Sequence, residues 1–186
     1  MGIIKTAKIM ALAGLAALAA SCMPLRKQYI EPRIGMVAPA AEEQKEYNSY
    51  FTAGAAYGIN GNANGTPREK LGLEASLDYF KSSAEYIRTD SFLFGVNATY
   101  PLRSLNPAVY LTGGIALLGE FSDIDIPPPF NVHDEKSETT FGLGVGANMR
   151  FDAAGTGDIS TRLGYIFLPG SSNVKGMLVL TAGCRF

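Results

Sequence analysis

The chain has 186 residues, with 17 acidic residues against 16 Lys and Arg and a formal net charge of -1. That length fits a single domain, and the near-neutral balance lacks the basic footprint of a nucleic-acid binder. Hydrophobic residues make up 47%, yet beyond the N-terminus no apolar run reaches the roughly 18 residues of a spanning helix, so any membrane crossing must use strands.

Residues 1–21 read as an export signal. Lys5 and Lys8 form its basic region, IMALAGLAALAA its apolar stretch, and small residues close it. Ala19 and Ser21 ahead of Cys22 suit a general signal peptidase, while AASC also resembles a bacterial lipobox. Leu18 lies one place upstream of the usual lipobox Leu and Ala19 fills its slot, so lipidation of Cys22 stays open. Residues 22–28 form a short lead-in that carries this possible anchor.

From there to the end the chain alternates with period two in eight segments separated by turn signals. They are 29–38, 48–60, 71–81, 89–101, 107–119, 138–151, 158–168 and 175–186. In the third, Leu71, Leu73, Ala75, Leu77 and Tyr79 alternate with Gly72, Glu74, Ser76 and Asp78. In the fourth, Phe92, Phe94, Val96, Ala98 and Tyr100 alternate with Leu93, Gly95, Asn97 and Thr99. The sixth sets Phe141, Leu143, Val145, Ala147, Met149 and Phe151 against Gly142, Gly144, Gly146, Asn148 and Arg150. In the last, Leu178, Leu180, Ala182, Cys184 and Phe186 share one face, so Cys184 reads as a small apolar residue rather than a disulfide partner of Cys22. No helical stripe follows the signal. Connections at 101–106 and 152–158 are short, 61–70 is longer, and 120–137 is expected to be a long, acidic, Pro-rich loop.

Alternation alone fits a membrane barrel or a soluble barrel turned inside out. The polar face decides. Lys27, Lys45, Lys70, Lys81, Lys136 and Lys175 all fall in lead-ins, loops or strand ends, and none sits mid-strand. Small polar residues with a few Arg and carboxylates occupy the mid-strand positions, as a narrow lumen requires. Tyr79, Phe80, Phe92, Tyr100, Phe151, Tyr165, Phe167 and Phe186 lie towards strand ends, where aromatic rings suit bilayer interfaces.

The export signal, the eight segments, PAVYLTGGIAL, FGLGVGANMRFDAAGTGDISTRLGYIF and the terminal Phe186 together resemble the small bacterial outer-membrane β-barrel family of OmpA-type transmembrane domains and OmpX-like proteins. The resemblance implies an all-β, eight-stranded antiparallel up-and-down barrel over 29–186 in the outer membrane. It also implies that Phe186 is the signal read by the assembly machinery, that the last strand pairs with the first, and that the peptidoglycan-binding domain of some relatives is missing. Expected partners are outer-membrane lipids, lipopolysaccharide and that machinery, with the barrel a monomer.

In such a barrel Glu31, Arg33, Glu74, Asp78, Arg150, Arg162 and Arg185 point inward and gather in the periplasmic half, with Arg185 beside Glu31 and Arg33. Charges taken out of water persist only when paired, so a salt-bridged plug is expected, in which loss of Arg150 leaves a carboxylate short of a partner. His133 is the only histidine and sits beside Asp134 and Glu135, which reads as a solvated residue. Ser137, four residues on, has the wrong spacing for the His and Ser of lipid A deacylases, and no catalytic elbow, zinc spacing or cofactor motif is present. The leading expectation is therefore a non-enzymatic structural or interaction barrel serving envelope integrity or surface contact. A small pore and a soluble exported lipid-binding barrel are the alternatives. The acidic loop could meet lipopolysaccharide through divalent cations or simply be solvated.

Overall fold

The computed structural model describes residues 28–39, 49–61, 70–84, 86–103, 107–152, 157–171 and 175–186. The export signal, Cys22 and most of the 61–70 connection lie outside these residues. Eight strands follow in chain order: β1 Gln28–Pro39, β2 Tyr50–Ile59, β3 Gly72–Ala84, β4 Ile87–Arg103, β5 Ala108–Ile126, β6 Val132–Asp152, β7 Asp158–Phe167 and β8 Gly176–Arg185. Each pairs antiparallel with its chain neighbours, and β1 pairs with β8 to close the barrel. At the seam, Ile30 and Phe186 exchange two backbone hydrogen bonds of 3.1 and 3.0 Å. The final residue is thereby tied to the first strand.

The alternation sets the two faces of the wall. Ile34, Phe51, Leu73, Ile115, Val145 and Leu163 stand exposed on the outside, while their chain neighbours point inward. An exterior this apolar cannot face water over its whole girth, and the interior is filled by side chains, so the soluble lipid-binding alternative loses both its wet exterior and its cavity. Tyr79, Phe92 and Phe121 form a band of touching rings, with centroids 5.2 and 6.2 Å apart along the series. Phe80, expected with these interfacial rings, instead faces inward and is buried. Cys184 is a free, outward-facing thiol.

The expected loop over 120–137 is largely strand. β5 runs on to Ile126 and β6 restarts at Val132, leaving only residues 127–131 as the turn, with Asn131 at a positive φ of 45°. Asn tolerates that left-handed conformation better than most residues. The sequence pattern misleads here because its phase reverses. Lower in β5 the outward residues are apolar, whereas beyond Phe121 the outward residues are Asp123 and Asp125 and the inward ones Ile124 and Ile126. Water on both sides of a projecting hairpin permits the reversal. The same extension lengthens β3 and β4 to meet at residues 84–87. At about 3.3 Å per residue, the β5–β6 hairpin projects on the order of 20 Å beyond Phe121.

Gly35 marks the tightest point of the seam. A Cβ there would fall on the Leu180 carbonyl oxygen and lie 2.7 Å from the Thr181 Cα. Backbone cannot yield as a flexible side chain can, so Gly35→Val must force β1 and β8 apart. A cost of about 1–3 kcal/mol is expected, read as a lower urea midpoint for the heat-modifiable folded species. An unchanged midpoint would show that the seam relaxes freely.

Candidate functional site

The lumen is where inward-pointing groups from all eight strands meet, and it divides into three levels. The lowest is charged. Glu31, Arg33, Glu74, Asp78, Arg150, Arg162 and Arg185 are all buried, three carboxylates with four guanidinium groups. They come from β1, β3, β6, β7 and β8, and strand alternation directs each to the same space.

Glu74 is the hub of this level, with 1% of its surface exposed. Arg162 grips it with both terminal nitrogens at 2.5 Å, Tyr29 donates its hydroxyl at 2.8 Å, and Arg33 Nη1 stands 3.7 Å away. Arg33 forks onto Asp78 through Nε at 2.7 Å and through Nη2. This two-point geometry suits guanidinium and carboxylate. Arg185 places Nη2 3.0 Å and Nε 3.2 Å from Glu31 across the closing seam and lies 3.3 Å over the Tyr29 ring.

Arg150 departs from the expected pairing. Among the described residues it forms no ion pair with a carboxylate. Its Nη1 donates to Asn60 Oδ1 at 2.8 Å, an acceptor shared with Arg185, and its guanidinium lies 3.7 Å over the Tyr110 ring. The reason is position. Arg150 is two residues closer to the periplasmic rim than Asn148, whose partner on β7 is Arg162, so Arg162 rather than Arg150 reaches Glu74. Tyr29, Asn60 and Tyr110 thus belong to the network although charge did not reveal them. Tyr29 shares the parity of Glu31 and Arg33, which was the available signal.

Next to the charges lies a cavity of about 60 Å³, bounded by groups that include Asp78, Asn97, Thr112, Arg162, Leu93 and Val179. It has room for a few waters. The upper level is apolar: Val37, Phe80, Leu93, Ala116, Leu118, Leu168, Met177 and Val179 form one buried cluster, with Tyr50 and Ile166 against it. Most of these residues occupy inward positions that were expected to be small and polar. The lumen is therefore filled in two ways, by paired charge towards the rim where β1 begins and by apolar packing towards the other.

His133 lies apart, on the exposed outer face of the hairpin, with Nδ1 3.6 Å from Asp123 Oδ1. Ser137 is on the same strand. No group of three or more metal-ligating side chains with suitable geometry occurs among the described residues.

A family model described as an outer membrane protein beta-barrel domain matches residues 10–186. No curated protein matches the chain by sequence. Among solved structures, the barrel is similar to Neisserial surface protein A (TM-score 0.60, 18% identity, 85% of this chain and 95% of that one). It is also similar to a major outer membrane protein of Thermus thermophilus (0.59, 12%, 86% and 99%). A third is the attachment invasion locus protein of Yersinia pestis (0.53, 18%, 87% and 100%). At these identities the likeness is one of fold.

The network ranks its own members. Glu74→Gln removes the charge opposing Arg162 and leaves a buried cation unpaired, with an expected loss on the order of 3 kcal/mol. Arg150→Ala breaks no ion pair and is expected to cost clearly less. Urea titrations of the refolded barrel compare the two, and equal losses would contradict the hub assignment.

Proposed function

Because the chain belongs to the outer membrane protein β-barrel domain family, and so lies in the bacterial outer membrane, we propose that it is a non-catalytic, non-conducting barrel. It serves envelope integrity or surface contact through its extracellular side. The observation that carries this reading is the double closure of the lumen. An ion entering from the periplasm must part the Glu74 cluster, and behind the small cavity it meets the buried layer around Leu118 and Leu168. Both obstacles are built from buried side chains, and moving a charge through such a layer is strongly disfavoured.

The projecting β5–β6 hairpin supports the contact half of the proposal. It carries Asp123, Asp125, Asp134 and Glu135 clear of the barrel, with Phe130 three-quarters exposed at its turn. Outer-membrane lipid and lipopolysaccharide surround the wall in this reading, and the assembly machinery takes Phe186 as its signal. In this reading His133, exposed on the hairpin 3.6 Å from Asp123, has no catalytic part.

The runner-up, a small pore, is separated by electrical recording. Purified protein reconstituted in a planar bilayer is expected to give no steady conductance while running as a heat-modifiable, folded band on gels. Reproducible open channels from the folded protein would overturn the closed reading in favour of the pore.

A further inference from the structure

At the mouth of the lumen on the hairpin side, the wall carries two carboxylates face to face. Glu120 on β5 and Glu138 on β6 are cross-strand partners of inward parity, so their Cβ atoms stand about 4.5–5.5 Å apart. Glu120 neighbours Phe121 of the aromatic band, past Leu117, the last outward aliphatic residue before that band, and the hydroxyls of Ser82, Thr89 and Ser122 form the next inward row beyond it. It stands at the end of the lipid-facing stretch rather than within it. Glu138 accepts a hydrogen bond of 3.2 Å from Thr140 Oγ1. Glu120 is half-buried, yet its Oε2 is removed from water and has no hydrogen-bond partner among the described residues. It borders a recess of about 20 Å³ together with Val37, Phe80 and Met177 of the apolar layer and with Tyr50 and Ser91. An ionised carboxylate against such a lining is costly, and a like charge directly opposite adds to the cost.

The surrounding charges do not offset this cost. Among the described residues no cation forms an ion pair with Glu120. On β6, Lys136 lies one inward step beyond Glu138 and holds its Nζ 3.8 Å from Asp134 Oδ2. Lys175, just ahead of β8, donates its Nζ to the Ser171 carbonyl at 2.8 Å. Lys81 on β3 and Asp90 on β4 are on the outer face and lie 3.7 Å from each other. Asp123, the next charged residue on β5, also points outward, and Asp78, one inward row lower on β3, is held by Arg33. From β4 the partner opposite Glu120 is Ser91. From β1, β2 and β8 the recess receives Val37, Tyr50 and Met177, of which the Tyr50 phenol alone titrates, far above neutral pH in its ordinary state. Burial first, and the charge of Glu138 second, favour the neutral form of Glu120.

We propose that Glu120 is a proton-binding site at this mouth, which takes up its proton as the surroundings turn mildly acidic and thereby tightens the apolar layer beside it. Protonated, the carboxyl is a donor facing the Glu138 carboxylate, and no charge abuts Phe80 and Met177. Ionised, it sets a negative charge against that layer and against Glu138. The folded chain binds this proton more tightly than the unfolded chain. Stability therefore rises as pH falls through the folded-state midpoint, and the gain is complete below the ordinary glutamate value of about 4.3. The inference depends on the arrangement of the mouth and not on whether the lumen conducts.

Two measurements test it. Side-chain carboxyl NMR of the full barrel refolded in detergent is expected to show Glu120 titrating about one pH unit or more above a glutamate in a short model peptide. A midpoint at or below that of the peptide would overturn the proposal. In urea titrations, Glu120→Gln, which imitates the neutral carboxyl, is expected to be more stable than the parent at about pH 8. That gap should close as pH falls towards about 4, its ratio of folding constants changing by up to about tenfold per pH unit. A gap that does not change with pH, or a variant less stable than the parent at about pH 8, counts against the site. A gap at about pH 8 that calcium chloride removes would assign the pair of carboxylates to a cation and overturn the proton reading. Should the variant fail to fold, the NMR titration of the parent decides alone.

Discussion

A backbone that crosses hydrocarbon must satisfy all of its amide groups within the protein, because no water is there to do so. For strands this demands a ring, and the pairing of β1 with β8 supplies its last joint. The rest follows from that constraint. Closing eight strands fixes a lumen just wide enough for side chains, and the period-two geometry then forces half of every strand into it. The outward half can be of any apolar size, since lipid adapts. The inward half must interlock, which is why Gly35, Gly114, Gly142 and Gly146 are needed where neighbouring backbone or side chains crowd the wall.

Two chemically different solutions to that crowding share one lumen. On the periplasmic side, Arg and carboxylate groups fill space and cancel charge, at a desolvation cost that only close pairing offsets. On the other side Leu118, Leu168, Val37 and Met177 fill space with no such cost. The charged level gains geometric definition instead. A forked Arg33–Asp78 contact and a two-point Arg162–Glu74 contact tie β1 to β3 and β3 to β7. These strands are not neighbours in the wall, so the network braces the barrel across its bore, where backbone hydrogen bonds cannot reach.

The wall was legible in the sequence because alternation is a local property: each strand announces its own faces, and the lack of mid-strand lysine told inside from outside. Leu73 and Glu74, or Phe141 and Gly142, could be assigned without knowing any neighbour. Contacts across the bore could not. Which Arg reaches Glu74 depends on the stagger between β3, β6 and β7, a property of the closed ring, so the sequence could expect a carboxylate partner for Arg150 without naming one, and it is Arg162 that holds Glu74. The hairpin was hidden for a different reason. Between Phe121 and Asp123 the phase of the pattern inverts as the strand leaves apolar surroundings, and an inverted phase beside three prolines looks like irregular chain. Phe80 was misplaced by treating aromatic character as a stronger guide than parity.

The two levels along the axis hold together for unrelated reasons. The charged level depends on every partner being present, so loss of one group disturbs several contacts at once, while the apolar level depends on volume and tolerates exchange among residues of similar size. The cavity of about 60 Å³ lies where they meet, lined by Arg33, Asp78 and Arg162 from one and by Leu93, Ala116 and Val179 from the other. The projecting hairpin continues the same β5 and β6 strands and so stands on a wall braced from within by contacts across the bore.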